Sequence, residues 1–264
     1  MRDRILVTGA TGLLGRRVVK RLHDKADEVR IMSRKAQTSS GNGRYTWATA
    51  DLGSGHRVPD AVADINVIVH CATAYGRGSE TQITDTVLKA AQQAGTPHLV
   101  YISIVGVDRV PLGYYQDKLA AERLIAQSAL PYTILRATQF HDLLRALFAT
   151  AARSPVMLVP DFCIQPIDAS EVADRLADLA VGQPAGRAPD VAGPQVRHAR
   201  DFAHAFLLAA IRRRWVLPVR LPGKVFRAYR DGGHLAPQQA GGTITFEDYL
   251  AAHPDPLTTS YRRP

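Results

Sequence analysis

The sequence predicts an α/β protein, a doubly wound parallel sheet followed by a smaller C-terminal lobe. Three observations predict it. Short apolar runs alternate with helical patterns through the first half of the chain, which is the mark of βαβ units. A glycine-rich turn, Gly9-Ala10-Thr11-Gly12-Leu13-Leu14-Gly15, separates the first apolar run from the first helical stretch. Beyond about residue 153 that rhythm breaks into short strand candidates, helices and connections rich in Pro and Gly. The expected division is a core over residues 1–153 and a loop-rich lobe over 154–264.

In order, Ile5 to Thr8 reads as a buried strand, and Leu13 to His23 as a helix with apolar positions 13, 14, 18, 19 and 22 on one face. Val29 to Ser33 and Tyr45 to Ala48 are strands two and three. Asn66 to His70 is strand four. Thr81 to Ala94 is a helix stopped by Gly95 and Pro97, residues that close helices. His98 to Ser103 is strand five, Tyr115 to Ala129 a helix ended by Pro131, and Tyr132 to Arg136 strand six. In the second part, Val156 to Val159 and Ile164 to Ile167 are strand candidates. Ser170 to Val181 and Asp201 to Arg213 are helices, with an irregular stretch over 182–242.

Composition bounds the function. The chain has 264 residues, 46% hydrophobic and 22% charged, an ordinary globular mixture that excludes a disordered chain. Two cysteines, Cys71 and Cys163, cannot build a disulfide framework or a metal site, so no metal is expected and the cytoplasm is the expected compartment. The longest apolar stretches, such as Phe206 to Ile211, are too short to cross a bilayer, and no membrane partner is expected. The net charge is +9, and 27 of the 33 basic residues are arginine. That bias reflects genome base composition more than a binding face, and the cations are scattered apart from the run Arg212 to Arg214. Such a run at the end of a helix pattern reads as a solvated helix terminus. Nucleic acid is not an expected partner; a small-molecule substrate and a monomer or homodimer are.

The glycine turn carries the first chemistry. Gly9 permits a tight turn, Gly12 lets the backbone approach a pyrophosphate, and Gly15 allows close packing of helix on strand. The helix N-terminus then offers free N–H groups and the positive end of its dipole to phosphates, the Rossmann arrangement. Thr8, Thr11, Leu13 and Leu14 belong to the same cradle. The tip of strand two carries Ser33-Arg34-Lys35, where NAD-preferring sites place an acid for the ribose 2′-hydroxyl. Arg34 and Lys35 suit a 2′-phosphate instead, so the expected cofactor is NADP(H) in preference to NAD(H). Asp51-Leu52 after strand three falls beside the adenine, and Asp51 reads either as an acceptor for its amino group or as a turn residue.

Together with Thr8 to Gly15, Ser33-Arg34 and Asp51-Leu52, the segments Tyr101-Ile-Ser-Ile-Val-Gly-Val107 and Leu130-Pro-Tyr-Thr-Ile-Leu-Arg-Ala137 resemble the atypical short-chain dehydrogenase/reductases, in particular their NmrA-like branch. The likeness runs from residue 4 to about 175. It implies a seven-stranded parallel sheet, a nicotinamide cofactor and a C-terminal substrate lobe. Family members include reductases, epimerases, dehydratases and proteins that only sense the NADP(H) redox state, so fold leaves function open. Two readings follow: an oxidoreductase acting on a small carbonyl or related compound, or a non-catalytic NADP(H)-binding regulator working through a protein partner.

Members that turn over carry a Tyr-x-x-x-Lys pair, which matches Tyr114 and Lys118. The resemblance implies that Lys118 lowers the tyrosine pKa and binds the nicotinamide ribose, and that Tyr114 passes a proton. Tyr115 is a neighbouring phenol able to take the same role. Ser103 matches the hydroxyl that orients substrate, but Ile104 stands where relatives often have a second serine. Cys71-Ala72-Thr73 at the end of strand four is expected along the cofactor's ribose and pyrophosphate, with Cys71 read as a small buried hydrophobe. Gln139 and Phe140 after strand six are substrate-contact candidates or simply a helix cap. Asp168 is expected to cap the next helix, with Glu171 completing a capping-box pattern.

Overall fold

In the computed structural model, which describes residues 4–36, 45–253 and 255–259, the alternation becomes a parallel sheet with helical crossovers. Its elements are β1 (Arg4–Thr8), α1 (Leu13–Leu22), β2 (Glu28–Ser33), β3 (Tyr45–Thr49), α2 (Val58–Val62), β4 (Val67–His70), α3 (Ser79–Gln93), β5 (His98–Ile104), α4 (Gly113–Gln127) and β6 (Tyr132–Ala137). There follow α5 (His141–Ala151), β7 (Val156–Pro160), β8 (Cys163–Ile164), α6 (Ala169–Val181), β9 (Gly186–Arg187), β10 (Arg197–His198), α7 (Ala199–Ala209), β11 (Trp215–Val219), α8 (Lys224–Arg230) and α9 (Phe246–Ala251). The chain divides into two compact units that alternate along the sequence: residues 1–103, 113–135 and 172–188 form one, and 104–112, 136–171 and 189–264 the other.

The first unit holds the seven-stranded parallel sheet, ordered β3-β2-β1-β4-β5-β6-β9. Ile5, Leu6, Val7, Ile68, Val69, Leu99 and Val100 are buried without exception, because crossover helices leave neither sheet face in water. β1 pairs with β2 on one side and with β4 on the other, in register Val7↔Ile31 and Val7↔Val69. The order reverses at β1, which opens a crevice at the carboxyl ends of β1 and β4. α3 ends where Gly95 takes φ +92°, and the Thr96 N–H returns to the Ala91 carbonyl at 3.1 Å. Arg21 and Lys25, around the end of α1, pair with Asp174 and Asp178 of α6.

The second unit is built around aromatic side chains. Phe148 of α5, Phe202 and Phe206 of α7, and Phe246 and Tyr249 of α9 pack with Met157 and Val159 of β7. Two small sheets flank this core: β8 antiparallel to β10, and β7 parallel to β11. The structure corrects the local expectations here. The strand expected over Ile164 to Ile167 is only Cys163–Ile164, because Ile167 makes an isolated bridge to Phe140. The helix expected over Asp201 to Arg213 runs from Ala199 to Ala209, and Arg214 leaves it to donate to the Ala152 carbonyl at 2.9 Å. Glu171 completes no capping box: its carboxylate accepts from Thr243 N at 2.6 Å and Thr243 Oγ1 at 2.9 Å. Asp168 accepts from Ser170 N at 2.7 Å, two residues on.

Gly193 marks the tightest backbone approach of this unit. A Cβ there would lie 1.7 Å from the Pro166 carbonyl oxygen, a backbone atom with nowhere to retreat. Gly193 also donates to Thr138 Oγ1 at 3.3 Å and accepts from Gln165 Nε2 at 2.9 Å. Gly193→Ala should destabilise the protein by about 1–3 kcal/mol, read as a lower urea midpoint; an unchanged midpoint would show that this segment tolerates displacement.

Candidate functional site

The crevice is built from two loops. After β1, Gly9 turns with φ +64°, and the Gly12 N–H closes the turn on the Gly9 carbonyl at 2.9 Å. A Cβ on Gly9 would stand 2.6 Å from the backbone nitrogen of Ala72, so this position fixes how closely the loops after β1 and β4 approach. A Cβ on Gly15 would fall 2.3 Å from the Gly9 carbonyl oxygen. Gly15 therefore packs the helix against the turn itself. Gly12 is the N-cap of α1 at φ −82° and ψ 177°, and no side chain caps that end. The first-turn N–H groups remain for an anion, the arrangement a dinucleotide pyrophosphate requires.

The other expected cradle residues divide by burial. Thr11 is exposed, Leu13 is half-buried and Leu14 is buried. Thr8 is fully buried, and its hydroxyl lies 2.6 Å from His70 Nδ1 and accepts from Ala72 N at 3.2 Å. It ties β1 to the end of β4. Burial brings the His70 pKa down to about 4, so this ring is neutral. Burial also pushes the Cys71 thiol up to about 12, against the pull of Lys118, which leaves no reactive thiolate.

At the tip of β2, Arg34 and Lys35 are exposed, and Lys35 N donates to Ser33 Oγ at 3.1 Å. Ser33 pairs in register with Thr49 of β3, which sets Asp51 near that tip. Asp51 serves its own turn, accepting from Gly53 N and Ser54 Oγ at 3.1 Å each, while Leu52 is buried.

The i, i+4 pair on α4 behaves differently from expectation. Tyr114 is half-buried, and its hydroxyl lies 2.7 Å from Thr73 Oγ1 while its ring stacks on Tyr75 at 5.0 Å. Lys118 is buried, with Nζ 2.6 Å from Glu80 Oε1, 3.1 Å from the Ile102 carbonyl and 4.6 Å from the Tyr101 ring centre. The expectation that Lys118 lowers the Tyr114 pKa is thereby corrected. The ammonium faces Glu80, and burial, the largest influence on the phenol, raises the Tyr114 pKa. Tyr115 is buried. Ser103 is buried at the end of β5, and its Oγ has no hydrogen-bond partner among the described residues. Gln139 and Phe140 are half-buried in the second unit. Ile167 N donates to the Gln139 carbonyl at 2.9 Å, and Phe140 is the N-cap of α5.

Glu80, at the start of α3, is the residue sequence reasoning missed. Its carboxylate is fully buried and takes four donors: Lys118 Nζ and Tyr101 OH (2.9 Å) on Oε1, Thr73 Oγ1 (2.9 Å) and Ala74 N (2.9 Å) on Oε2. Burial alone raises its pKa, but the charge and hydrogen bond of Lys118 outweigh burial and hold it low. The Lys118 pKa is raised, because its electrostatic interactions with Tyr101 and the Glu80 carboxylate outweigh the opposing effect of burial, itself the largest single influence. A carboxylate can only accept. Thr73 therefore gives its one proton to Glu80 and accepts from Tyr114, which turns the Tyr114 oxygen's remaining lone pairs away from Thr73. The available signals were a tyrosine in the middle of the buried strand β5 and a glutamate opening an amphipathic helix.

This buried pair gives a pH-dependent expectation. Glu80 is held below the unfolded value of about 4.3, so its pairing stabilises the fold above that pH and fades as pH falls through the folded value. Lys118→Met should cost about 3–5 kcal/mol near neutrality by leaving the carboxylate unpaired. The deficit should shrink toward about pH 5 as that carboxyl takes a proton. Urea unfolding at the two pH values measures it, and a deficit independent of pH would contradict the pairing.

The family model described as NAD(P)H-binding matches residues 9–153. Quinone oxidoreductase 2 of Escherichia coli K12 is 28% identical over 137 residues, which cover 50% of this chain and 47% of the relative. A (4-alkanoyl-5-oxo-2,5-dihydrofuran-3-yl)methyl phosphate reductase of Streptomyces griseus is 29% identical over 216 residues, 75% of this chain and 70% of the relative. The chain thus spans about half the length of that quinone oxidoreductase and 36% of a chloroplast protein of Arabidopsis thaliana. Among solved structures, the NADPH complex of an Escherichia coli quinone oxidoreductase superposes with a TM-score of 0.80 at 20% identity, covering 94% of this chain and 99% of that one. A Citrobacter sp. triphenylmethane reductase complexed with NADP(H) gives 0.78 at 18% identity over 94% and 99%. These neighbours share the fold and lie in the atypical short-chain dehydrogenase/reductase group that the sequence resembles. None of the described helices is long and apolar enough to cross a membrane.

Proposed function

We propose that this chain, which belongs to the NAD(P)H-binding family, is an oxidoreductase that uses NADPH to reduce a small carbonyl compound, a quinone or an enone among them. The observation that carries this reading is the uncapped N-terminus of α1 behind the Gly9 turn, joined to the exposed Arg34 and Lys35 at the β2 tip. The free amides of the first turn of α1 would hold the pyrophosphate, with Gly12 leaving the backbone open to it, and the β2 tip would hold the 2′-phosphate. The bound nicotinamide supplies hydride chemistry. Thr73 and Tyr114 would present hydroxyls along the crevice, and Ser103 a buried hydroxyl whose Oγ awaits a partner.

Tyr114 is proposed to donate to the substrate oxygen. Its raised pKa keeps the phenol protonated at neutral pH. To donate outward the hydroxyl rotates off Thr73 and gives up one hydrogen bond, a loss of about 0.5–1.5 kcal/mol that a developing oxyanion offsets. One observation favours a second reading, a non-catalytic NADP(H)-binding regulator acting through a protein partner. Lys118 is committed to Glu80 and is not among the groups that lower the phenol's pKa.

Calorimetric titration should give NADPH an affinity about tenfold or more above NADH, from charge-assisted contacts at the β2 tip. Arg34→Ala should erase most of the difference. Equal affinities in the unaltered protein would remove the 2′-phosphate assignment.

Tyr114→Phe should lower kcat on an active carbonyl or quinone by about 10²-fold or more while NADPH affinity holds. Tyr115→Phe, at a buried ring, is the comparison. If Tyr115→Phe proved the damaging change, the roles of the two phenols would be reversed. Failure of a carbonyl and quinone panel to turn over, with NADPH still bound, would favour the regulator.

A further inference from the structure

We propose that the second unit docks on an anionic lipid surface through the β7–β11 sheet and the basic segment that continues from it. The register sets Trp215 beside Val156 and Leu217 beside Leu158. Strand alternation then divides the two faces. Met157 and Val159 point into the aromatic core, with Val216 partly buried against it. Val156, Leu158, Trp215 and Leu217 share the opposite face, and all four are exposed, Trp215 by 80%. No residue from 208 to 233 is buried. Large apolar side chains grouped in this way mark an interaction site, whereas scattered single ones need no explanation.

Charge identifies the occupant. Between Ile211 and Arg230 the chain carries Arg212, Arg213, Arg214, Arg220, Lys224, Arg227 and Arg230 and not one acidic residue. A second copy of the chain would set these cations against their own kind. Nucleic acid would meet the charge but leave Val156, Leu158 and Leu217 against phosphate. A protein adding a strand to the β11 edge would meet Pro218, which has no N–H to offer. A lipid surface needs no complementary shape: it takes Trp and aliphatic side chains at the headgroup boundary and pairs the surrounding cations with anionic headgroups. Docking of this kind lies along the bilayer and needs no spanning helix.

The test uses the whole protein with Trp47→Phe, so that Trp215 is the sole indole, and vesicles of phosphatidylcholine with or without about one third phosphatidylglycerol. Expected are co-sedimentation with the anionic vesicles alone, a blue shift of Trp215 emission, and release by salt. Arg212→Glu with Arg213→Glu should weaken binding by about tenfold or more. Trp215→Ser with Leu217→Ser should weaken it while NADPH affinity, measured on the same samples, is kept. Equal binding to both vesicle types, no binding, or binding unaffected by either pair of substitutions would overturn the proposal. So would a dimer in light scattering that the Trp215 and Leu217 substitutions dissolve, which would assign this face to a second copy.

Discussion

A carboxylate buried without access to water dictates much of the first unit. Glu80 stands where an unpaired charge is prohibitively costly, and the structure answers with an ammonium, a phenol, a hydroxyl and a backbone amide from three other parts of the chain. Lys118 comes from α4, Tyr101 from β5, and Thr73 and Ala74 from the loop after β4. Each donor fixes the position of its own element relative to α3. Because the acceptor cannot donate, the protons along Lys118, Thr73 and Tyr114 all point inward, and the crevice inherits a definite hydrogen-bond polarity.

The sheet order sets where that polarity is felt. β1 lies between β2 and β4, so the turn after β1 and the loop after β4 leave the sheet side by side. Gly9 makes the approach possible, since any Cβ there would collide with the Ala72 backbone. Thr8 then bonds across the same junction to His70 and Ala72. One side of the crevice is therefore backbone N–H groups at a helix end, and the other is hydroxyls ordered by Glu80. Phosphates and a reducible oxygen call for these two different surfaces.

Much of this was legible in the sequence where the information is local. Strands of Val, Ile and Leu, the glycine turn and the Gly95 stop each report on a few consecutive residues, and the first six strands lie where periodicity puts them. Tyr114 and Lys118 were visible as an i, i+4 pair, but spacing does not say where an ammonium turns. Glu80 lies 38 positions before Lys118, and only the packing of α3 against α4 joins them. The seventh strand, Gly186–Arg187, is two residues long and has no period to detect. Glu171 matched a capping pattern locally, yet its carboxylate binds Thr243, 72 residues away. The return of residues 172–188 to the first unit is likewise a long-range fact with no local trace.

The basic composition gains meaning only from its placement. A net charge of +9 spread evenly would repel itself weakly everywhere and recognise nothing. Here one cation, Lys118, is neutralised inside the protein by Glu80, and others around the sheet are spent on ion pairs such as Arg21 with Asp174. Arg34 and Lys35 stand exposed at a strand tip where a phosphate of the cofactor is expected, and seven more fall in one acid-free segment of twenty residues that also carries the exposed Trp215 and Leu217. Lone arginines on a solvated surface interact through a high dielectric and contribute little, whereas cations gathered at a strand tip or in one short segment act together on one anionic ligand.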